Sequence, residues 1–177
     1  MSGQIYKYGE LPPFGQPTPP RLLRILGSVE KEYYLKGRRA EHQGMRVGAF
    51  AYYRRVVENQ KNRLFDEIIR VAQQIGASAE MLDELKDAKN QTQFSTAVNA
   101  VKHGIKHGIP AALLLDGHNP LTLLHSALSN GVHAQTDEEC LASATNIRVV
   151  LAELSDRPGY AIKERSELKA AVSKLMK

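Results

Sequence analysis

The sequence predicts an all-α fold, a helical bundle around one long central helix at about residues 44–76. From Pro20 onward, apolar residues recur at helical spacing along almost the whole chain. Residues that typically begin and end helices mark the boundaries between these stretches. Only the short apolar segment 111–115 could form a strand, and one short strand cannot make a sheet.

The first 20 residues are rich in glycine and proline, with the run Pro17-Thr-Pro-Pro20 at their end. This composition predicts an extended arm with polyproline character over residues 1–20. The remainder, residues 21–177, is long enough for a single helical domain with its own core. An arm of this kind is a candidate contact for a protein partner.

The first helices lead into the predicted central helix. A short apolar helix is predicted over residues 22–26, and Ser28 then caps a second helix that ends near Gln43. In the segment 44–76, apolar residues recur with a period close to 3.6: Val47, Phe50, Val57, Leu64, Ile68, Val71 and Ile75. One uninterrupted helix of this length would be roughly 45 Å long and would form the spine of the fold.

The next helices are predicted from their amino-terminal caps. Ser78 caps a helix that runs to about Lys89, and another helix begins at Thr92 or Gln93. Asn119 is a favourable N-cap and is followed by a proline, which suits the first position of a helix. These signals predict a helix from Asn119 towards a corner that contains His133.

The last two helices are predicted on either side of Pro158. Thr136 and Glu139 have the spacing of a capping box, so a helix is expected to begin there. Because the residue before a proline disfavours helical backbone, this helix is expected to stop before Pro158. A final amphipathic helix is then predicted over residues 160–175.

Composition excludes several classes of protein. No apolar run approaches the roughly 20 residues that span a bilayer, so we expect no membrane segment. Cys140 is the only cysteine, which excludes an internal disulfide and a multi-cysteine zinc site and favours the cytoplasm. The net charge of +5 is compatible with nucleic-acid binding. The chain has no phosphate-binding loop, dinucleotide fingerprint or nucleophile elbow, and we predict neither cofactor nor metal.

Two parts of the chain carry a family resemblance. From Gly44 to Glu58 the chain reads Gly-x-x-x-Gly-Ala-Phe-x-x-Tyr-Arg-Arg-Val-Val-Glu. From Leu124 to Leu141 it contains Leu-His-Ser-Ala-Leu-Ser-x-Gly-x-His and then Asp-Glu-Glu-Cys-Leu. These segments resemble bacterial proteins related to the HEPN superfamily (higher eukaryotes and prokaryotes nucleotide-binding). The resemblance extends over about residues 20–155.

The HEPN resemblance implies a compact helical bundle that forms a homodimer. Many members are metal-independent ribonucleases of toxin–antitoxin, antiviral-defence and CRISPR systems, and others are inactive binding or scaffold modules. Active members carry an arginine that is followed, after four to six residues, by a histidine. His133 matches that histidine, but the arginine is missing, because the matching positions hold Ser126, Ala127 and Leu128.

The catalytic residues predicted from this chemistry are His133, Arg54 and Arg55. Metal-independent RNA cleavage needs a base near neutral pH for the 2′-hydroxyl proton, which suits His133. It also needs a cation for the phosphorane charge, and Arg54 or Arg55 is the nearest candidate by pattern. The alternative is that His133 only bonds the ends of two helices.

Other polar residues of the same regions are predicted to bind the ligand: Glu58, Asn59, Asn62, His125, Ser126 and Asn130. Helical spacing places Arg55, Glu58, Asn59 and Asn62 on one face of the long helix. The alternative is an exposed face with ion pairs such as Arg54–Glu58, and a buried Glu58 or Asn62 would favour a binding site.

A further basic group surrounds Arg38 and Arg39, with Glu41 and His42 beside them. This group could contact a phosphate backbone, although such clusters are more often exposed helix faces. We therefore expect an RNA-associated HEPN-like protein, either a ribonuclease or a catalytically silent module that binds a protein or nucleotide partner.

Overall fold

The computed structural model describes residues 18–104, 109–129 and 136–176. Its helices are α1 (Pro20–Ile25), α2 (Ser28–His42), α3 (Arg46–Asn59), α4 (Lys61–Gln74), α5 (Ala79–Asn90), α6 (Phe94–Gly104), α7 (Pro120–Leu128) and α8 (Asp137–Leu175). The segment considered as a strand holds a 3-10 turn at Ala111–Leu113, and no strand occurs in the described ranges beyond one isolated bridge. The all-α prediction is confirmed.

Helix α3 lies at the centre of the packing, between α2 and α8. Its side chains Phe50, Tyr53, Val56 and Val57 are completely buried. The other helices extend the same core, because α4 packs on α5, α5 on α6, and α7 on α8. Buried apolar side chains from Leu22 in α1 to Ala161 in α8 form one hydrophobic cluster. Burial of this apolar surface is the main stabilising contribution to such a bundle.

The prediction of one uninterrupted helix over residues 44–76 is wrong, because the structure divides this segment at Gln60 into α3 and α4. A tertiary contact lies next to the break. The Lys61 side chain is buried, and its ammonium group donates hydrogen bonds to the backbone carbonyls of Lys89, at 2.6 Å, and Gln91. These carbonyls lie at the carboxyl end of α5, where helical C=O groups need external donors.

Helix α8 contradicts the prediction of two helices separated by Pro158. It runs for 39 residues through the proline, and it is the longest helix of the described structure. An interior proline costs about 3 kcal/mol in a helix because it removes one hydrogen bond and crowds the preceding turn. Here Leu154, Pro158 and Ala161 are all buried, on a helix that packs on α1 and the 3-10 turn. Tertiary packing on both sides therefore keeps the helix continuous.

Three of the predicted caps are confirmed. The prediction that Ser28 caps the second helix is wrong, because Gly27 is the N-cap of α2 and Ser28 is already its first residue. The side chain of Asn119 accepts a hydrogen bond from the Leu121 amide at 2.9 Å, and Ser78 accepts one from Met81 at 3.3 Å. Thr136 and Glu139 form the predicted capping box at the start of α8. The first 17 residues of the predicted arm lie outside the described residues, and α1 already begins at Pro20.

None of the described helices combines the length and the apolar character that are needed to cross a bilayer.

Candidate functional site

A cavity of about 620 Å³ opens where α3, the beginning of α6 and the end of α7 meet. It is lined by Arg54, Glu58, Thr92, Gln93, Phe94, Ser95, His125, Leu128 and Ser129. Three of these, Arg54, Glu58 and His125, were predicted from the sequence as site residues. The structure therefore brings together side chains of α3 and α7 that are about 70 positions apart in the chain.

Arg54 connects the two helices that face each other across this cavity. Its Nε atom donates to Glu58 Oε1 at 2.9 Å, and its Nη1 atom donates to the carbonyl of Leu128 at 3.2 Å. That carbonyl belongs to the last turn of α7, where it has no partner within the helix. The Arg54–Glu58 pair is about one-third to one-half exposed, so it contributes at most about 1 kcal/mol.

The amino end of α6 forms another wall of the cavity. Phe94 begins this helix, and the first turn of a helix presents backbone N–H groups without internal partners. Together with the helix dipole, such groups favour an anion. Residues Thr92 to Ser95 were absent from the sequence-based site. The helix start had been predicted at Thr92 or Gln93, but no sequence signal indicated that it faces Arg54.

Two of the predicted residues on α3 face another helix. The guanidinium carbon of Arg55 lies 4.2 Å from the centre of the Tyr33 ring, in a cation–π contact with α2. Asn59 Nδ2 lies 3.5 Å from Glu30 Oε1, also on α2. Arg55 and Asn59 therefore do not line the cavity that contains Arg54.

The remaining predicted binding residues are exposed. Glu58 and Asn59 are exposed at the end of α3, and Asn62 is exposed on α4, beyond the break at Gln60. Glu58 and Asn62 are thus not buried, and Arg54 pairs with Glu58 at 2.9 Å, as in the exposed face with ion pairs that the sequence left as the alternative. Ser126 is exposed on α7, where its backbone carbonyl accepts a hydrogen bond from Ser129 Oγ at 2.8 Å.

His133 and Asn130 lie outside the described residues. The last described residue before them is Ser129, which lines the cavity, and the next described residue is Thr136.

A second polar group, which the sequence-based site did not include, is centred on Glu41. Its carboxylate accepts hydrogen bonds from the Tyr53 hydroxyl at 2.8 Å, Thr145 Oγ1 at 3.1 Å and Arg148 Nε at 3.0 Å. Burial alone would raise the pKa of Glu41, but these hydrogen bonds and the charge of Arg148 lower it on balance. Burial, assisted by the charge of Glu41, raises the pKa of Tyr53.

The Glu41 group joins α2, α3 and α8, so its role in this structure is to stabilise the bundle. Arg38, which the sequence placed in a basic cluster, is buried, whereas Arg39 is exposed. The two arginines therefore do not form one exposed basic patch. The alternation of buried and exposed positions along α2 could have revealed this, because Tyr34 and Arg38 are separated by one helical turn.

Comparisons of this chain with protein-family models, curated proteins and solved structures give no match. The HEPN resemblance therefore stays a prediction.

Proposed function

We propose that this protein binds RNA in the cavity between α3, α6 and α7, as a HEPN-like protein of a bacterial defence or toxin–antitoxin system. One observation supports this proposal above all. Arg54, His125 and the amino end of α6 face the same opening, although they come from three separate helices. A cation, an imidazole and the backbone N–H groups of a helix start are a suitable combination for a phosphodiester.

The binding mode follows from the contacts of Arg54. A phosphate oxygen would replace Glu58 as the partner of the guanidinium group, while the bond to the Leu128 carbonyl keeps Arg54 in place. Glu58 therefore competes with the ligand. Because the negative charge of Glu58 repels any anion, the cavity favours a ligand whose several contacts together outweigh this repulsion.

The stronger form of the proposal is metal-independent RNA cleavage. His133 would accept the proton of a 2′-hydroxyl, whose oxygen then attacks the adjacent phosphorus. Arg54 would stabilise the negative charge on the phosphorane, and His125 would donate a proton to the departing 5′-oxygen. The products would be a cyclic phosphate and a free 5′-hydroxyl.

A second candidate is a binding module without catalytic activity. It is favoured by the Arg54–Glu58 ion pair, which partly neutralises the cation of the cavity. It is also favoured by Ser126, Ala127 and Leu128, which occupy the positions where active HEPN proteins carry an arginine.

Binding is tested by the fluorescence anisotropy of a labelled 12-nucleotide oligo(U). Arg54→Ala should weaken binding several-fold, because about 1 kcal/mol of interaction corresponds to roughly fivefold in Kd. Glu58→Gln should tighten binding, because it removes the competing carboxylate. Asn62→Ala, which changes an exposed residue outside the cavity, is the matched control. Equal affinities for Arg54→Ala and Asn62→Ala would refute the cavity as the RNA site.

Cleavage is tested separately with total RNA in buffer that contains EDTA. The ribonuclease proposal predicts cleavage by the wild-type protein and at least a hundredfold loss with His133→Ala, in line with general base catalysis. RNA binding without cleavage would favour the silent module. Equal cleavage by both proteins would indicate a contaminating nuclease and would refute the role of His133.

Three further features are proposed with this function: a homodimer, a protein partner for the arm at residues 1–20, and a cytoplasmic location. Sedimentation equilibrium at micromolar concentration measures the first of them. A monomer under these conditions would contradict the dimer.

A further inference from the structure

A second cavity, of about 650 Å³, lies between α1, α4 and α8, and we call it the arginine groove. Four arginines line it, Arg21 and Arg24 from α1 and Arg63 and Arg70 from α4. It shares no lining residue with the Arg54 cavity. The proposed function does not use the arginine groove, and sequence spacing did not indicate that these two arginine pairs meet.

The carboxylates of the arginine groove are already paired. Glu67 accepts a hydrogen bond from Arg70 Nε at 2.8 Å and a further one from the Arg70 Nη2 atom. Asp66 forms an ion pair with Lys89 at 2.5 Å. Among the described lining residues, the positive charges of Arg21, Arg24 and Arg63 are therefore not neutralised by Asp66 or Glu67.

Two of these three arginines are held by backbone carbonyls. Arg63 Nη1 donates to the carbonyl of Ile25 at 3.2 Å, and Arg21 Nη1 donates to the carbonyl of Asp156 at 3.2 Å. A carbonyl orients a guanidinium group without cancelling its charge. The Asp156 carboxylate is 3.9 Å from Arg21, and both side chains are more than one-third exposed, so their attraction is weak.

Arg24 is the least constrained of the four arginines. It is exposed, and it makes no hydrogen bond or ion pair within the described part of the chain. A guanidinium group carries five N–H donors in a planar fork that matches the oxygens of a phosphate. Arg24 and Arg63 therefore supply donors that an anion in the groove can use.

The sequence of α8 makes room for Arg21. A Cβ atom at Gly159 would lie 2.1 Å from Arg21 Nη1, so only glycine allows the guanidinium group to rest on the helix in this position. Pro158 and Gly159 are both unfavourable inside a helix. Their presence next to Arg21 fits a surface that accommodates an arginine side chain.

We propose that the arginine groove binds the phosphodiester backbone of a nucleic-acid strand. None of the described residues that line it is aromatic, so it has no ring on which a base can stack. Its charges come from two helices and are suited to successive phosphates along a strand. Binding in the groove is independent of base sequence and of the 2′-hydroxyl. It requires neither Arg54 nor His133.

The experiment measures the Kd of the full chain for labelled 12-nucleotide oligo(U) and oligo(dT) between 50 and 200 mM salt. The test variant is Arg24→Ala/Arg63→Ala. The matched control, Arg165→Ala/Lys169→Ala, removes the same charge from the exposed end of α8. Loss of two phosphate contacts should lower the slope of log Kd against log salt by about 1.4, at roughly 0.7 per contact for single strands. The control should change it by much less.

Two further variants address folding and geometry. Arg24→Glu changes a residue without described partners, so it should weaken binding while the protein remains folded. Gly159→Ala displaces Arg21, and it should weaken binding without any loss of helix content by circular dichroism. The double arginine variant is uninformative if it has lost helix content, and these two variants then decide. If either of them binds as tightly as the wild type in that case, the groove is not the site.

The result also separates the groove from the Arg54 cavity. Loss of binding in the arginine double variant, with Arg54→Ala unaffected, supports the groove and contradicts the cavity. The reverse pattern overturns the groove and supports the cavity. Three other results would also overturn the proposal. They are a failure to bind either oligonucleotide, an equal loss of affinity in the test and control variants, and a strong preference for oligo(U) over oligo(dT).

Discussion

An alanine at position 37 should destabilise this protein, although alanine is the better helix former. Gly37 lies inside α2, and its missing side chain allows the Tyr53 ring to approach the helix. A Cβ atom there would lie 2.7 Å from Tyr53 Cε1 and 2.9 Å from Cδ1, closer than real Cβ contacts. The ring cannot move aside easily, because it is fully buried and its hydroxyl is bonded to Glu41.

The expected magnitude is the difference between two opposing effects. Replacing an interior helical glycine by alanine stabilises a helix by about 0.5–1 kcal/mol. Overpacking a buried site costs about 1–3 kcal/mol. With the midpoints of these two ranges, the net loss in the free energy of unfolding is about 1 kcal/mol, which lowers Tm by roughly 2–4 °C in a protein of this size.

Gly48→Ala is the matched control for Gly37→Ala. Gly48 lies in the first turn of α3, where a Cβ atom would meet Met45 Cβ at 3.7 Å and Ala40 Cβ at 3.8 Å, which are ordinary contacts. This substitution should therefore leave the free energy of unfolding unchanged or raise it by at most about 1 kcal/mol. Urea unfolding followed by circular dichroism measures both variants. Equal stabilisation by the two alanines would refute the steric role of the Tyr53 ring.

Three other outcomes follow from buried polar groups. Folding lowers the pKa of Glu41 below its ordinary value of 4.5, so the charged carboxylate stabilises the native state above pH 4.5. This contribution is lost as the pH falls through the pKa of the folded state. The stability of Glu41→Gln should therefore fall less at acid pH than that of the wild type, and an unchanged acid dependence in urea titrations would contradict this. Lys61→Met should lower the free energy of unfolding by about 1–3 kcal/mol, because two carbonyls at the end of α5 lose their donor; no loss in the same assay would contradict the capping role. Cys140 is fully buried, and burial, with Asp137 and Glu139, raises its thiol pKa. It should resist a thiol reagent at pH 8 until urea is added, and rapid native labelling would contradict its burial.

Several helix starts could be predicted from local sequence, although Ser28 was wrongly predicted as the cap of α2, whose N-cap is Gly27. Asn119, Ser78 and the pair Thr136 and Glu139 were each identified as caps, and each makes the expected bond to a backbone amide. A cap acts on N–H groups within three residues of itself, so the information needed is local.

The candidate site was predictable only in part. Helical spacing indicated that Arg54 and Glu58 lie one turn apart, and they form the expected ion pair. It did not show that Arg54 faces α7 whereas Arg55 faces Tyr33 on α2. Two consecutive residues on a helix point about 100° apart, so the neighbouring helices decide what each one contacts.

The sequence by itself determined the all-α class and the start of most helices, because apolar periodicity and capping depend on residues a few positions apart. Tertiary structure decided where helices break or continue. Lys61 reaches the end of α5 beside the break at Gln60, and packing on α1 holds α8 together through Pro158. It also decided which arginines share a cavity, because the free energy of these contacts depends on groups that are distant in the chain and adjacent only after folding.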